Sequence, residues 1–251
     1  MAYRRQRPMK AVILAAGMGS RLAPLTEDRP KVLVEVLGQS FIVRQLELLA
    51  RAGIPSRDVV VVGGYCIDIL RYTLMRFGYE CTVVFNDKFE PWNNFYSLAV
   101  AEPELGGADF LQLDGDTILD DKVLPRMLEA RGEALVAVDV RDQLDEETMK
   151  VQLRPGTREV AAISKNLPPS TCAGEYIGIT RLSARAAREV FADLAKFPGE
   201  NLTHEYYEYA FNRLTGSGRV PFEIVDVHDC TVLEIDNLDD LQRAEELMRR
   251  G

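Results

Sequence analysis

Apolar positions recur along this chain in two rhythms. Residues 9–15 are apolar apart from Lys10 and read as a buried strand. Residues 40–52 carry apolar side chains at helical spacing, open on Ser40 as a candidate cap and stop at Gly53. Residues 59–62 are four valines, the pattern of a strand covered on both faces. The spacing then predicts a helix over 68–77 that ends at Gly78, and a strand over 81–85. A short helix begins within 94–101, a strand follows over 109–113 and a helix over 121–130. This alternation implies an α/β fold: a Rossmann-like, mainly parallel mixed sheet flanked by helices.

The rhythm changes after a strand over 134–140. Residues 149–153 and 160–164, around a Pro155-Gly156 turn, read as a hairpin. A strand over 175–180 precedes helices near 184–195 and 203–215. Strands around 222–227 and 232–235 and a helix from Leu238 close the chain. Neither an internal repeat nor a low-complexity linker interrupts it, so 9–251 is expected to form one domain. Residues 1–8, with Arg4-Arg5-Gln6-Arg7, read as a flexible basic tail. The apolar run behind them is shorter than the ~7–15 residues of a secretory core.

The net charge of −9 disfavours a nucleic-acid surface, which needs excess cations to neutralise backbone phosphates. Any phosphate site must be a local cationic pocket in an acidic shell. No apolar stretch approaches the ~18 residues of a membrane span. Cys66, Cys81, Cys172 and Cys230 lack C-x-x-C spacing and read as reduced thiols of a cytoplasmic protein. His228 and Cys230 fall short of a zinc ligand set.

Candidate chemistry starts where the first strand ends. Leu14-Ala15-Ala16-Gly17-Met18-Gly19-Ser20-Arg21-Leu22 is a loop of small residues, and Pro30-Lys31 follows. Such a loop frees backbone N–H groups to face a polyanion, and Arg21 and Lys31 add charge. It is not a Walker A loop, since no Gly-Lys-Ser/Thr closes it. Nor is it a dinucleotide fingerprint, since Leu22 stands at the third glycine.

Three further clusters stand out. Leu113-Asp114-Gly115-Asp116-Thr117 puts two carboxylates at a strand's carboxyl end, either a metal site or an Asp-Gly turn. Glu234-Ile235-Asp236 puts two acids on one strand face, though Asp236 alone reads most simply as the cap of the last helix. Trp92-Asn93-Asn94-Phe95-Tyr96-Ser97-Leu98 holds the single Trp beside two amides. Taken alone, Lys165 after Ile163-Ser164 is an ordinary solvated lysine.

The blocks L-A-A-G-M-G-S-R-L with P-K, F-N-D-K with N-N-F-Y-S-L, L-D-G-D-T and E-I-D occur here in order. In this the chain resembles the sugar-phosphate nucleotidylyltransferase superfamily. It is most similar to the cytidylyltransferases for phosphocholine and 2-aminoethylphosphonate. It lacks any hexapeptide repeat, so the C-terminal β-helix of some relatives is not expected. The resemblance implies a nucleotide-binding half over about 9–120 and an acceptor-binding half over about 121–251.

It also implies roles for individual residues. Leu14, Ala15, Ala16, Gly17, Gly19 and Ser20 would wrap the nucleotide, with Ser97 and Asp114 nearby. Arg21 would meet the β- and γ-phosphates and Lys31 the α-phosphate. Asp116 and Asp236 would hold Mg²⁺. Lys165 would clamp the attacking phosphate, with Asn94, Tyr96, Glu175 and Tyr176 lining the acceptor site. The catalytic set is then Arg21, Lys31, Lys165, Asp116 and Asp236.

The implied partners are CTP and a small phosphate or phosphonate. A homodimer is left open. A phosphomonoester is already mostly dianionic at neutral pH and needs no general base to attack. A transferase for a sugar or inositol phosphate is the alternative, and a non-catalytic nucleotide-binding subunit a third. Trp92, Tyr96, Glu175, Tyr176, Glu205, Tyr206 and Tyr209 give the second site an acidic, aromatic character, which suits a cationic head group.

Overall fold

A computed structural model of the protein describes residues 9–141 and 143–250. The basic tail expected over 1–8 lies outside the described residues. From the amino end, β1 (Lys10–Ala15) leads through 3₁₀ turns at Ser20–Leu22 and Lys31–Leu33 to a small hairpin of β2 (Glu35–Val36) and β3 (Gln39–Ser40). Then come α1 (Phe41–Arg51), β4 (Val59–Gly63), α2 (Ile67–Arg76), β5 (Thr82–Phe85), α3 (Phe95–Ala99) and α4 (Glu102–Leu105). They are followed by β6 (Phe110–Asp114), β7 (Thr117–Leu119), α5 (Val123–Glu129), β8 (Ala134–Val140), β9 (Lys150–Leu153) and β10 (Val160–Ser164). The chain ends with β11 (Gly174–Leu182), α6 (Ala184–Leu194), α7 (Glu208–Gly216), β12 (Glu223–Asp226), β13 (Val232–Glu234) and α8 (Leu238–Arg250).

The parallel run is β5-β4-β1-β6, with Ile13 in register with Val61 on one side and Leu113 on the other. Both faces are covered. Along β1, Val12 and Leu14 enter one buried cluster while Ala11, Ile13 and Ala15 enter another. All four valines of β4 are buried, as expected of a doubly covered strand. Each such side chain contributes roughly 1.5–3 kcal/mol by leaving water. Beyond β6 the sheet turns antiparallel. The long strand β11 pairs with β6, β8 and β9, and β12 returns parallel to β8. The mixed sheet with helices on both faces is the expected class.

Two details differ from the sequence reading. The short helix expected within 94–101 is α3, but a second short helix, α4, follows it with Pro103 in its first turn. A proline has no N–H to continue a helix but suits the start of one. The helix near 203–215 begins only at Glu208. The preceding segment is held instead by amides: Asn93 Nδ2 donates to the His204 carbonyl and Asn94 Oδ1 accepts from the Tyr207 N–H.

The order of β1, β4 and β6 creates the crevice. The chain leaves β1 to build β4 on one side and β6 on the other. Their carboxyl ends part at this switch, where open α/β sheets bind ligands. A second pairing closes over it: β13 runs antiparallel to β7, with Glu234 opposite Thr117. α8 packs through Leu241, Ala244 and Met248 onto Leu22, Val36 and Ile118.

Helices α6 and α7 are joined by one buried acid. The Asp193 side chain is fully buried in α6, with Arg213 Nε 3.1 Å away and Lys196 and Arg219 at 3.3 and 3.5 Å. Asp193→Ala leaves these cations without their shared partner. Arg213 and Arg219 keep Glu200 and Glu189 and all three cations reach solvent, so we expect a loss of about 1–3 kcal/mol of stability by urea denaturation. A loss no larger than that of an exposed Asp→Ala control would show that the cluster is dispensable.

Candidate active site

The crevice opens into a cleft of about 540 Å³. Leu14, Ala16, Gly17 and Arg21 line it from the first loop. Asn94 and Ser97 come from the start of α3, and Asp114 and Asp116 from the end of β6. Lys165, Glu175 and Tyr176 line the far side, and Asp236 the near one. Ala15, Gly19 and Ser20 belong to the same loop but are not among the lining residues. Ala15 is buried beneath the loop. Gly19 shapes it: φ is +66°, and a Cβ there would come within 2.8 Å of Lys31 Cβ, so the bare backbone is what lets Lys31 pass.

Lys31 is the centre of the cationic side. Its ammonium donates to Asp116 Oδ2 at 2.8 Å and to Asp236 Oδ1 at 2.7 Å. Arg21 pairs with the other Asp236 oxygen at 2.9 Å. Burial works against the charge on Lys31, but the two carboxylates outweigh it and hold its pKa above the ordinary lysine range. Burial would likewise raise Asp236, yet Lys31 and Arg21 bring it below the usual carboxylate range.

The reading of Asp236 as a helix cap needs correcting. Asn237 caps α8, its Oδ1 accepting from the N–H groups of Asp239 and Asp240. Asp240 reciprocates, its Oδ2 accepting from the N–H groups of Asp236 and Asn237. The Asp236 carboxylate is thereby left to the cleft. Glu234 joins it. Ligand oxygens of Asp116, Glu234 and Asp236 lie within 4.8 Å of one another. Although Glu234 as a residue is exposed, desolvation of its carboxyl, then the charges of Asp116 and Asp236, push it up to about 7.

Asp114 is held below the cleft floor. Its carboxylate accepts from Gln112 Nε2 and the Tyr207 hydroxyl, each at 2.9 Å. Gly178 makes room for it: φ there is +72°, and a Cβ would lie 2.6 Å from Asp114 Oδ2. The register of β11 against β8 slips between Tyr176 and Thr180, at this same glycine. Burial, then the charges of Asp116 and Glu208, raise Asp114 well above the carboxylate range. From α1, Gln45 donates to the carbonyls of Asp114 and Thr117 and fixes the turn that carries Asp116.

The residues expected at the acceptor site divide. Lys165 lines the cleft with Glu147 at 3.5 Å. Glu175 is paired with Arg141. Burial raises its pKa, against the pull of Arg141. Asn94 is tied to Tyr207 through its side-chain oxygen. The buried Ser97 hydroxyl accepts from Asn86. Tyr176 shows the cleft little of its surface, because its hydroxyl is engaged by Gln112, Thr180 and Tyr207. Tyr96 is not brought to the cleft: its hydroxyl donates to Asp87 and its ring packs edge-on to Trp92. The loop before β9 is held by Lys150, whose buried ammonium donates to the carbonyls of Asp145, Glu146 and Thr148.

Sequence reading missed Glu208. It is 4% exposed, and its Oε2 has no hydrogen-bond partner among the described residues. It lines both the cleft and an adjoining hollow of about 140 Å³ formed with Lys165, Tyr206, Tyr209 and Asn212. Burial pushes it up to about 7. Only its place at the first turn of α7, facing inward, marks it, and a lone Glu in a helical pattern carries no such signal.

The fold and the cleft define an α/β protein of the nucleotide-binding, Rossmann-like type. The model of the MobA-like NTP transferase domain matches residues 11–201, and the chain belongs to that family. It is 42% identical to the choline-phosphate cytidylyltransferase of Streptococcus pneumoniae over 106 residues, 42% of this chain and 44% of that one. It is 28% identical to the CMP-5'-(3-aminopropyl)phosphonate synthase of Streptomyces rubellomurinus over 253 residues, 95% of this chain and 38% of the relative. The chain thus spans less than half the length of these curated relatives. A solved structure of the CTP:phosphocholine cytidylyltransferase from Streptococcus pneumoniae superposes with a TM-score of 0.78 at 26% identity, covering 96% of this chain and all of that one. No helix among the described residues is long and apolar enough to cross a membrane.

The raised pKa of Glu208 has a signed consequence. Between the unfolded value near 4.5 and the folded value of about 7, the native state binds the extra proton. Stability is therefore lost as pH rises through that window. Glu208→Gln removes the ionisation, so it should melt higher than the parent at pH 8, on the order of 5 °C, and level with it at pH 4.5. An offset that is the same at both pH values would dissociate it from Glu208 ionisation.

Proposed function

We propose that the protein transfers CMP from CTP to a small phosphate or phosphonate acceptor with a cationic head group, releasing pyrophosphate. The observation that carries this reading is the convergence of Lys31, Arg21, Asp116, Glu234 and Asp236 beside the loop after β1. The names of the relatives agree with it, since they specify cytidylyl or CMP transfer and choline or aminopropyl groups. The nucleotide half is assigned to about 9–120 and the acceptor half to about 121–251. The four cysteines are free thiols, in keeping with a reducing cytoplasm.

In this reading the loop from Leu14 to Arg21 receives the nucleotide. Arg21 neutralises the β- and γ-phosphates and Lys31 the α-phosphate. Lys165 holds the acceptor phosphate in line. A phosphate oxygen of the acceptor attacks the α-phosphorus, and the bond to the bridging oxygen of pyrophosphate breaks. No protein nucleophile or general base is required, and the rate comes from alignment and charge neutralisation. The oxygen-only set of Asp116, Glu234 and Asp236 fits Mg²⁺, which binds through carboxylates and phosphate oxygens. Asp116 and Asp236 are the residues to hold it, and Mg²⁺ bound there would supply Lewis-acid polarisation of the phosphoryl oxygens.

At the acceptor end, Glu208 is a carboxylate in want of a cation. Tyr206 and Tyr209 stand beside it in the same hollow. A quaternary or primary ammonium gains roughly 0.5–2 kcal/mol over an aromatic face. The deciding measurement is pyrophosphate release over four nucleoside triphosphates and a panel of acceptors. CTP with phosphocholine or an aminoalkyl phosphonate should give the highest kcat/KM. A maximum with glucose 1-phosphate or an inositol phosphate would overturn the head-group assignment, and silence with CTP across the panel would overturn the reaction.

The metal assignment has its own test. Asp116→Asn or Asp236→Asn should lower kcat by at least about a hundredfold in saturating Mg²⁺, with the far-ultraviolet spectrum retained. Near-parental turnover in both variants would reassign the carboxylates to structure.

A further inference from the structure

Four cations line the cleft: Arg21, Arg141, Lys165 and Arg243. The first three are spoken for. Arg21 pairs with Asp236, Arg141 with Glu175 and Asp139, and Lys165 with Glu147. Arg243, on α8, forms no ion pair or hydrogen bond among the described residues. Its natural helical neighbour is Asp240, three residues earlier. One oxygen of Asp240, Oδ2, is engaged in the cap of α8, where it accepts from Asp236 and Asn237, and no ion pair joins Asp240 to Arg243.

Packing fixes the segment of α8 that carries the exposed Arg243. Leu22 and Ala244, the chain neighbours of Arg21 and Arg243, lie in one buried cluster. The two arginines therefore flank the cleft from adjoining segments, on the side of the first loop. Lys165 and Glu208 belong to other elements, on the acceptor side. The charge balance near the loop leaves no positive surplus. Lys31 and Arg21 face three carboxylates, Asp116, Glu234 and Asp236. With Glu234 raised to about 7, the two cations are already matched by the acids, so a triphosphate entering there meets no surplus positive charge before any metal is counted. A leaving pyrophosphate gains charge as the bond breaks, and a positioned cation at that end is worth most in the transition state.

We infer that Arg243 is a phosphate-contacting residue of the leaving-group end, meeting the pyrophosphate portion of the nucleotide from α8 beside Arg21. The inference rests on the nucleotidyl-transfer reading only for the identity of the polyanion. Its charge and planar fork suit two phosphate oxygens at once, which a lysine at the same place would not match. It also gives α8 a role beyond covering Leu22 and Ile118.

The test is calorimetric titration of the full chain with inorganic pyrophosphate in Mg²⁺ buffer, for the parent, Arg243→Ala, Arg243→Lys and the control Arg249→Ala, whose parent residue pairs with Glu245 away from the cleft. Arg243→Ala should bind pyrophosphate about tenfold more weakly, Arg243→Lys should fall between, and Arg249→Ala should match the parent. The KM for CTP should rise in step while the KM for the acceptor stays put. Unchanged pyrophosphate affinity in Arg243→Ala, an effect confined to the acceptor KM, or no pyrophosphate binding by the parent would each overturn the inference. The titration needs no turnover, so a parent that binds pyrophosphate but transfers no CMP would sink the proposed reaction and leave Arg243 to be judged by binding alone.

Discussion

The ammonium of Lys31 is where three distant parts of the chain meet. It stands on the turn after the first loop. It touches Asp116 at the end of the parallel sheet and Asp236 just beyond β13. Without that charge, two carboxylates would face each other in a partly buried space beside Glu234. Their repulsion would oppose the β7–β13 pairing that brings them together. The covering strand, the capped start of α8 and the mouth of the cleft all follow from this contact. The geometry of Gly19 serves the same end, since the stem of Lys31 passes where a side chain on Gly19 would stand.

The rest of the cleft is arranged as acids under constraint. Asp114, Glu208 and Glu234 are all pushed upward, chiefly by burial. A folded protein gains nothing in stability from holding them this way. Asp114 at least has two hydrogen-bond donors, whereas Glu208 has an oxygen with none. A buried polar atom left without a partner costs about 1–3 kcal/mol. Such a cost persists in a compact core when a ligand supplies the missing partner. The acids of the cleft therefore differ in setting: beside the loop Asp116 and Asp236 balance Lys31 and Arg21, whereas at the far end Glu208 keeps an oxygen without a partner among the described residues.

What could be read from the sequence was local. The loop from Leu14 to Arg21 was legible because its chemistry lies in consecutive residues, and the four valines of β4 because burial on both faces leaves a continuous run. Asp236 read by itself suggests a cap, and only its place in the E-I-D block points it to the cleft. Only the hydrogen bonds around Asp240 show that Asn237 takes that task. Gln45, Gln112 and Tyr207 were invisible for a different reason. Each acts through a partner far along the chain, set by strand register and helix placement rather than by spacing. Tyr96 was expected at the cleft from its place in a motif. Its ring follows Trp92 instead, and its hydroxyl finds Asp87.

The slip in β11 explains how two kinds of sheet share one site. Towards its carboxyl end, β11 is an ordinary antiparallel neighbour of β6. At its amino end it pairs with β8 and β9, and Glu175 and Tyr176 lie there. The register shift between these stretches falls at Gly178, directly over the Asp114 carboxylate. A side chain at Gly178 would drive Asp114 away from Tyr207, and Tyr207 is the residue just before Glu208 at the start of α7. The bulge thus ties the floor of the β1–β6 crevice to the helix that carries the unpaired acid. Changes in the loop before β9, in the amino end of β11 or in α7 can reshape the far end of the cleft without touching the Lys31 contact. A change at Gly178 acts on the Asp114 floor and, through the Tyr207 hydroxyl bonded to Asp114, on the start of α7 at once.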